Sequence, residues 1–125
     1  MDFHENKPIY LQIADLISEQ ILAKQWMTEE KIPSVREMGV NLQVNPNTVL
    51  RTYDLLQQKG IIFNKRGVGY FVEKNAVKKI LDFKREDFYV NTLPNFFRTL
   101  SLLKIKPEEI LERFRQFEEE SNTKG

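Results

Sequence analysis

The sequence predicts a mostly α-helical (α+β) fold in which a β-hairpin separates an N-terminal group of helices from a C-terminal group. Apolar residues recur at steps of three and four before residue 60 and again after residue 75, which is the period of an amphipathic helix. Between these regions, the segments IIFNK and GYFVE are β-prone runs in which the period falls to two. The segment RGVG joins them, and its glycines suit the turn of a hairpin.

The first element is predicted as an amphipathic helix over residues 8–24. Pro8 suits the first helical turn, where the N–H that proline lacks has no intrahelical partner. The apolar face of this helix is predicted to consist of Ile9, Ile13, Leu16, Ile17 and Ile21. A polar connection, KQWMTEEKIP, follows the helix.

A second, short helix is predicted from Ser34 to about Leu42. Ser34 and Glu37 have the spacing of a capping box, in which each side chain accepts a hydrogen bond from the other residue's backbone N–H. Val35 and Met38 lie on the predicted inner face with Leu42. The sequence therefore predicts a defined helix start at Ser34.

A third helix is predicted over residues 46–59, after a connection of only three residues. Asn45 suits the N-cap position and Pro46 the first helical position. The inward face is predicted to consist of Val49, Tyr53 and Leu56. Because successive residues are about 100° apart around a helix, Asn47 and Arg51 point away from that face.

Helix, helix, short turn, helix and hairpin is the element order of a winged helix-turn-helix domain. In a helix-turn-helix, the second helix of the pair enters the DNA major groove with its N-terminal residues against base edges. An asparagine amide matches the N6/N7 edge of adenine, and an arginine guanidinium matches the O6/N7 edge of guanine. The pattern therefore gives Asn47 and Arg51 a candidate role in reading DNA.

Residues 7–73 resemble the GntR family of bacterial transcription regulators. The resemblance is carried by the segments PSVREM, VNPNTVLRTY and RGVGYFV, and the NPNT form with a short tail is similar to the YtrA-like subfamily. It implies a sequence-specific DNA-binding regulator of a subfamily whose members are usually dimers. A two-fold homodimer would bind a roughly palindromic double-stranded operator, and repression is the default prediction because no activation surface is identifiable. The sequence shows no nucleophile-base pair and no phosphate-binding glycine loop, so no enzymatic activity is expected.

The predicted DNA contacts come from both helix starts and from the hairpin tip. Helix N-termini favour phosphate oxygens, Thr48 suits a thymine methyl or a phosphate, and the resemblance implies a phosphate or base contact for Arg36. A glycine at the tip lets the backbone approach DNA closely. The full predicted set is Ser34, Arg36, Asn45, Pro46, Asn47, Thr48, Arg51, Lys65, Arg66 and Gly67.

Four residues depart from the family pattern. Lys24 and Glu29 stand where relatives often have glycine, and Gly39 stands where alanine is usual. Leu50 occupies a position where many relatives carry an arginine used on DNA. This last difference shifts the expected base reading to the neighbours of Leu50.

The C-terminal segment is predicted to form a helical extension. We expect a winged helix-turn-helix domain over residues 1–75 and the extension over 76–125, with a break near Pro94 and a last helix from Pro107. The extension has seven aromatic residues, too many for short helices to bury against one another, and such an exposed apolar patch marks an interface. The predicted dimerisation residues are Val77, Leu81, Phe88, Phe96, Phe97, Leu100, Leu103 and Phe114.

Composition narrows the classes of partner and cofactor that are expected for this chain. The net charge is +1, but residues 34–72 carry five basic and two acidic side chains, a weak indication of a nucleic-acid partner. There is no cysteine, and His4 is the single histidine, so no metal site is expected. No cofactor, no membrane partner and a cytoplasmic location are predicted, and the sequence leaves any small-molecule effector unknown.

Two rival interpretations stay open at this point. A winged helix can also serve as a protein–protein interaction module, with Asn47 and Arg51 as ordinary surface residues. RNA binding is disfavoured because the third helix carries no outward aromatic side chain on which an unpaired base can stack.

Overall fold

The computed structural model describes residues 7–124 of the chain. Its helices are α1 (Ile9–Leu22), α2 (Val35–Leu42), α3 (Pro46–Gln58), α4 (Ala76–Asp87), α5 (Leu93–Leu103) and α6 (Pro107–Lys124), and its strands are β1 (Ile62–Lys65) and β2 (Gly69–Val72). A π-helical turn, Phe88–Thr92, lies between α4 and α5. The predicted mostly helical winged helix-turn-helix is confirmed. The chain forms two compact units, one ending at Lys84 and the other starting at Arg85.

The first unit is built on α1, α3 and the hairpin. Fourteen apolar side chains form its buried core: Ile13, Ala14, Ile17, Ile21, Ile32, Met38, Val49, Tyr53, Leu56, Ile61, Ile62, Val72, Ala76 and Ile80. The helix α1 packs on α3, and α3 packs on α2 and β1. The predicted inward face of α3 is therefore confirmed.

The buried face of α1 differs from the prediction. Ile9 is 45% exposed, while Ala14 and Ser18 are buried. The face that packs on the core is rotated toward these two small residues, so Ile9 and Leu16 fall at its edge. The choice of large apolar residues therefore located the helix and the buried positions of Ile13, Ile17 and Ile21 correctly, but it included Ile9 and left out the small buried residues.

The hairpin pairs β1 and β2 in antiparallel register, from Ile62 opposite Val72 to Lys65 opposite Gly69. A third backbone segment joins it, since Lys31 forms a bridge with Phe71 and the Ile32 N–H donates to the Tyr70 carbonyl at 3.0 Å. This segment belongs to the connection that the sequence pattern indicated only as polar. Its pairing partner lies about 40 residues away along the chain, so no local period could reveal it.

Two predicted departures from the family pattern have a backbone consequence. Lys24 has φ 61° and Glu29 has φ 66°, the left-handed region in which a side chain is strained and glycine is not. Both residues keep the backbone geometry that glycine would adopt without this cost. The turns between α1 and α2 therefore place non-glycine residues at two positions that favour glycine.

Substituting Lys24→Gly or Glu29→Gly is expected to stabilise the fold by about 0.5–1 kcal/mol each. Relief of left-handed strain of about 1–2 kcal/mol exceeds the added entropy of glycine in the unfolded chain. Urea denaturation followed by circular dichroism measures the change. The control is Gly67→Ala, at φ 78° with no atom within 4 Å of an added Cβ, which should destabilise through backbone strain alone. A loss of stability in both glycine variants would contradict the strain argument.

Gly39, the third departure, has a packing reason. A Cβ built on Gly39 would lie 3.0 Å from the Val44 carbonyl oxygen, closer than ordinary van der Waals contact. The Val44 N–H also donates to the Gly39 carbonyl at 3.0 Å. The absent side chain lets the turn between α2 and α3 close tightly on α2.

The helix α4 begins on the first unit. Ala76 and Ile80 are in the core, and Lys84 lies 3.6 Å from the Asp15 carboxylate of α1. Phe83 packs partly buried against the same core. The predicted functional division at residue 75 stays a prediction, but the compact unit itself includes these turns of α4.

In the second unit, the helical hydrogen-bonding pattern changes close to the predicted break. The π-helical turn covers Phe88–Thr92, and Pro94 lies in the first turn of α5. No side chain of that turn or of α5 is buried. Within residues 7–124, no helix is long and apolar enough to span a membrane.

Candidate nucleic-acid interface

The start of α3 presents its polar side chains to solvent. Asn47 and Arg51 are exposed, whereas Val49, Thr52 and Tyr53 are buried on the opposite side. The Asn45 side chain accepts a hydrogen bond from the Asn47 N–H at 2.8 Å. The predicted outward orientation of this polar pair is therefore present in the structure.

The backbone at the start of α3 offers little to an anion. Pro46 has no N–H, the Asn47 N–H is held by the cap, and the Thr48 and Val49 N–H groups donate to the Asn45 carbonyl at 2.9 and 3.3 Å. The expected phosphate anchor at this helix start therefore has no free N–H donor to use. The polar groups that this helix start offers to solvent are therefore side chains, and Thr48 is half-buried.

The start of α2 keeps free donors. The capping box is complete, because the Glu37 N–H donates to Ser34 Oγ at 3.1 Å and the Ser34 N–H donates to Glu37 Oε1 at 3.0 Å. Those hydrogen bonds lower the pKa of Glu37, first through the Ser34 N–H and then through its side chain. Among residues 7–124, the N–H groups of Val35 and Arg36 have no acceptor, and the Arg36 side chain is exposed.

A buried tyrosine fixes the segment that leads into α2. The Tyr53 hydroxyl donates to the Pro33 carbonyl at 2.6 Å, directly before the Ser34 cap. Its ring meets Tyr70 of β2 edge-on, with centroids 4.8 Å apart. Sequence reasoning assigned Tyr53 to the core but missed this link among α3, the start of α2 and the hairpin.

The tip of the hairpin is open and basic. Lys65, Arg66 and Gly67 are exposed, and Gly67 has φ 78° with no atom within 4 Å of an added Cβ. Val68 is also 49% exposed at this tip, an exposed apolar side chain that the sequence analysis did not include. Leu50, at 41% exposure on α3, is a second one.

The predicted dimerisation residues are accessible. Val77, Leu81, Phe88, Phe96, Phe97, Leu103 and Phe114 have exposed fractions between 41% and 60%, and Leu100 is half-buried. Phe117 and Leu111 of α6 are exposed as well, at 64% and 49%. The helices of the second unit therefore carry apolar faces that the described residues of that unit leave uncovered.

The described part of the chain holds no group of His, Cys, Asp or Glu side chains that could bind a metal ion. His4 lies outside the described residues. The described residues therefore give no basis for assigning metal chemistry to this surface.

A short-turn helix pair, an exposed polar recognition helix and a basic hairpin tip define a winged helix-turn-helix protein with a DNA-binding domain. Residues 9–72 match the model of the gntR family of bacterial regulatory proteins. The chain belongs to the GntR family of transcription regulators, which are not enzymes.

Relatives match nearly the whole chain. The HTH-type transcriptional regulator YhcF of Bacillus subtilis is 38% identical over 117 residues, covering 94% of this chain and 95% of YhcF. The HTH-type transcriptional repressor YtrA of the same organism is 36% identical over 84 residues, covering 67% of this chain and 65% of YtrA. The predicted family is confirmed, including its similarity to YtrA.

Solved structures agree with the fold. A GntR-family transcriptional regulator from Bacteroides thetaiotaomicron superposes with a TM-score of 0.78 at 42% identity, covering 91% of this chain and 99% of that one. The DNA-binding domain of AraR, solved in complex with operator ORR3, has a TM-score of 0.52 at 26% identity and covers 58% of this chain and 84% of its own.

Proposed function

We propose that this regulator is a cytoplasmic repressor that binds a roughly palindromic DNA operator as a homodimer. The main observation that supports the proposal is that Asn47 and Arg51 are exposed on a helix whose opposite face is buried in the core. A rigid element with two bidentate side chains is the arrangement that reads base edges. The operator complex of AraR and the repressor name of YtrA support this choice among the functions of winged helices.

The proposed DNA contacts are of two chemical kinds, contacts to base edges and contacts to backbone phosphates. Asn47 and Arg51 read adenine and guanine edges, and Thr48 contacts a thymine methyl or a phosphate. The free N–H groups and the side chain of Arg36 at the start of α2 bind backbone phosphate, as do Lys65 and Arg66 at the hairpin tip. These phosphate contacts set the register of α3 in the groove and contribute equally to all sequences.

Dimerisation follows from the apolar faces of the C-terminal helices. Exposed apolar patches of this extent are typical of interaction sites, and most homodimers are two-fold symmetric. Two copies of α3 related by that symmetry read two half-sites separated by about one helical turn of DNA or a multiple. A dimer at a promoter represses by occupying it, so deletion of the gene should raise the output of the controlled promoter in a reporter assay.

Arg51→Ala and Lys65→Ala test the two kinds of contact. We expect Arg51→Ala to weaken operator binding by about 1–3 kcal/mol and to relax the preference at one base position. Lys65→Ala should weaken all sequences alike and reduce the salt dependence. The measurement is fluorescence anisotropy at about 150 mM salt, with a duplex from directly upstream of the gene and a scrambled duplex.

The control is Lys78→Ala, which removes an exposed lysine of α4 whose ion pair among residues 7–124 is with Asp82, four residues on. Wild-type protein should prefer one duplex by about 10³-fold or more if the upstream region contains the operator. Absence of binding to either duplex would favour the protein–protein interaction module instead. Unchanged binding by Arg51→Ala would remove Arg51 from the base-reading set.

A further inference from the structure

Arg51 does not extend freely into solvent. Its guanidinium carbon lies 3.8 Å from the centroid of the Tyr10 ring, the distance of a stacked cation–π contact. Tyr10 is half-buried in the first turn of α1, and Arg51 is exposed on α3. The two residues are 41 positions apart in sequence, so the contact arises only from the packing of α1 on α3.

The Tyr10 ring that contacts Arg51 belongs to a residue whose own position is fixed by the packing of α1. Tyr10 lies on the same line of α1 as the core residues Ala14, Ile17 and Ile21, at steps of four and three. The Thr52 hydroxyl, buried beside Arg51 on α3, donates to the Tyr10 carbonyl at 2.7 Å. Side chain and backbone of Tyr10 are therefore fixed relative to the helix that carries Arg51.

Stacking leaves the recognition chemistry of the arginine available. A guanidinium stacks through its flat face, while its five N–H donors lie at the edge. Among residues 7–124, no side chain or carbonyl accepts a hydrogen bond from Arg51, and no carboxylate pairs with it. The edge is therefore free for the bidentate contact with guanine O6 and N7.

We propose that Tyr10 is a positioning residue that presets the Arg51 guanidinium for base reading. An unstacked arginine must lose the freedom of several rotatable bonds when it meets a base, and Tyr10 removes part of that freedom before DNA arrives. Tyr10 thus contributes to specificity without contacting a base itself. This inference rests on the proposed function, because it assigns Tyr10 a role in the same base reading.

Tyr10→Leu removes the ring and keeps an apolar side chain on α1. We expect it to lower discrimination at the base position read by Arg51 by about two- to fivefold, the size of an exposed cation–π contact. Tyr10→Phe keeps the ring and should match wild type within about twofold. In the Arg51→Ala background, Tyr10→Leu should change nothing further, because the two residues act as one unit.

Two measurements test the inference. The first measurement selects binding sequences from a pool of randomised duplexes with wild-type protein. It then compares the preference at each base position among four variants: Tyr10→Leu, Tyr10→Phe, Arg51→Ala and the double variant Tyr10→Leu/Arg51→Ala. The second records the Arg51 Nε–Hε signal by NMR without DNA, where the ring should shift it upfield in wild type and Tyr10→Phe but not in Tyr10→Leu. Thermal melts show whether Tyr10→Leu folds. Two single variants repeat the comparison with the Tyr10 ring still in place on α1: Tyr10→Phe, and Arg51→Lys, which keeps the charge but loses the planar face.

The outcomes separate the two proposals. Selection of no sequence by wild-type protein overturns the proposed function and this inference with it. A selected operator whose base preferences are unchanged in Tyr10→Leu overturns the role of Tyr10 alone. Tighter binding by Tyr10→Leu also overturns it, since that result would mean that Arg51 has to leave the ring to reach DNA. If Tyr10→Leu loses discrimination at one base position only, and loses none in the Arg51→Ala background, the result supports the role of Tyr10.

Discussion

Phe97→Glu is expected to convert the proposed dimer of about 30 kDa into a monomer of about 15 kDa. Phe97 is 54% exposed on α5, beside Phe96 and Leu100 on the same apolar face. A carboxylate placed on this apolar face would be desolvated in the proposed interface, and burying an unpaired charge costs several kcal/mol. Light scattering at micromolar concentration measures the mass directly.

The loss of the dimer should also be the largest loss of DNA binding. A dimer that has bound one half-site meets the second as an intramolecular partner, which raises overall affinity by about 10²- to 10⁴-fold. Phe97→Glu should lose operator affinity by a factor of this order while leaving the first unit folded. The change exceeds the expected effect of any single base-reading residue, because it removes a whole half-site.

The matched control is Asn95→Glu, which adds the same charge to the same helix. Asn95 lies two residues before Phe97, on the opposite side of α5, and is exposed. Its side chain already accepts a hydrogen bond from Arg98, and a glutamate can do the same. Asn95→Glu should stay dimeric. A monomeric wild-type protein would refute the dimer, and a dimeric Phe97→Glu would remove Phe97 from the interface.

Local signals were sufficient for most of the helix-turn-helix. The capping box at Ser34 and the Asn45-Pro46 start each act within three residues, so the sequence contains the complete cause of those helix boundaries. The hairpin turn at Arg66-Gly67 is local in the same sense. The family resemblance then connected these elements to DNA recognition, which none of them indicates alone.

Contacts between distant segments could not be predicted in this way. Three contacts join residues about 40 positions apart: Lys31 pairs with β2, the Thr52 hydroxyl donates to the Tyr10 carbonyl, and Arg51 stacks on the Tyr10 ring. Each depends on how helices pack, and a helical period specifies a buried face but not the neighbour that covers it. The rotated face of α1 has the same origin, because small residues such as Ala14 and Ser18 are what let α1 approach closely.

The α3 start shows that a correctly predicted helix start does not by itself fix which backbone donors are free for a phosphate. Both helix starts have strong caps, so the sequence predicts phosphate binding at each. Only the hydrogen-bond partners distinguish them, since the α3 donors are used within its own first turn and those of Val35 and Arg36 are not. The Tyr53 hydroxyl donates to the carbonyl of Pro33, the residue directly before the cap of α2.

Tyr53→Phe is expected to lower the free energy of unfolding by about 1–3 kcal/mol, because it leaves the half-buried Pro33 carbonyl without its donor. The ring, its contact with Tyr70 and the core packing remain. Urea denaturation at neutral pH measures the loss. The matched control is Tyr70→Phe, which removes a hydroxyl with no hydrogen bond to residues 7–124 and should change stability little.

The same hydroxyl predicts how stability depends on alkaline pH. Burial raises the pKa of Tyr53 above its ordinary value of 10.0, with further contributions from Tyr70 and Glu37. The folded protein therefore keeps a proton that the unfolded chain releases, and stability that is complete below about pH 10 falls as pH rises beyond it. The slope approaches about 1.4 kcal/mol per pH unit for one proton. Tyr53→Phe should remove this part of the alkaline loss and Tyr70→Phe should keep most of it, so equal slopes in both variants would contradict a raised pKa of Tyr53 in the folded protein.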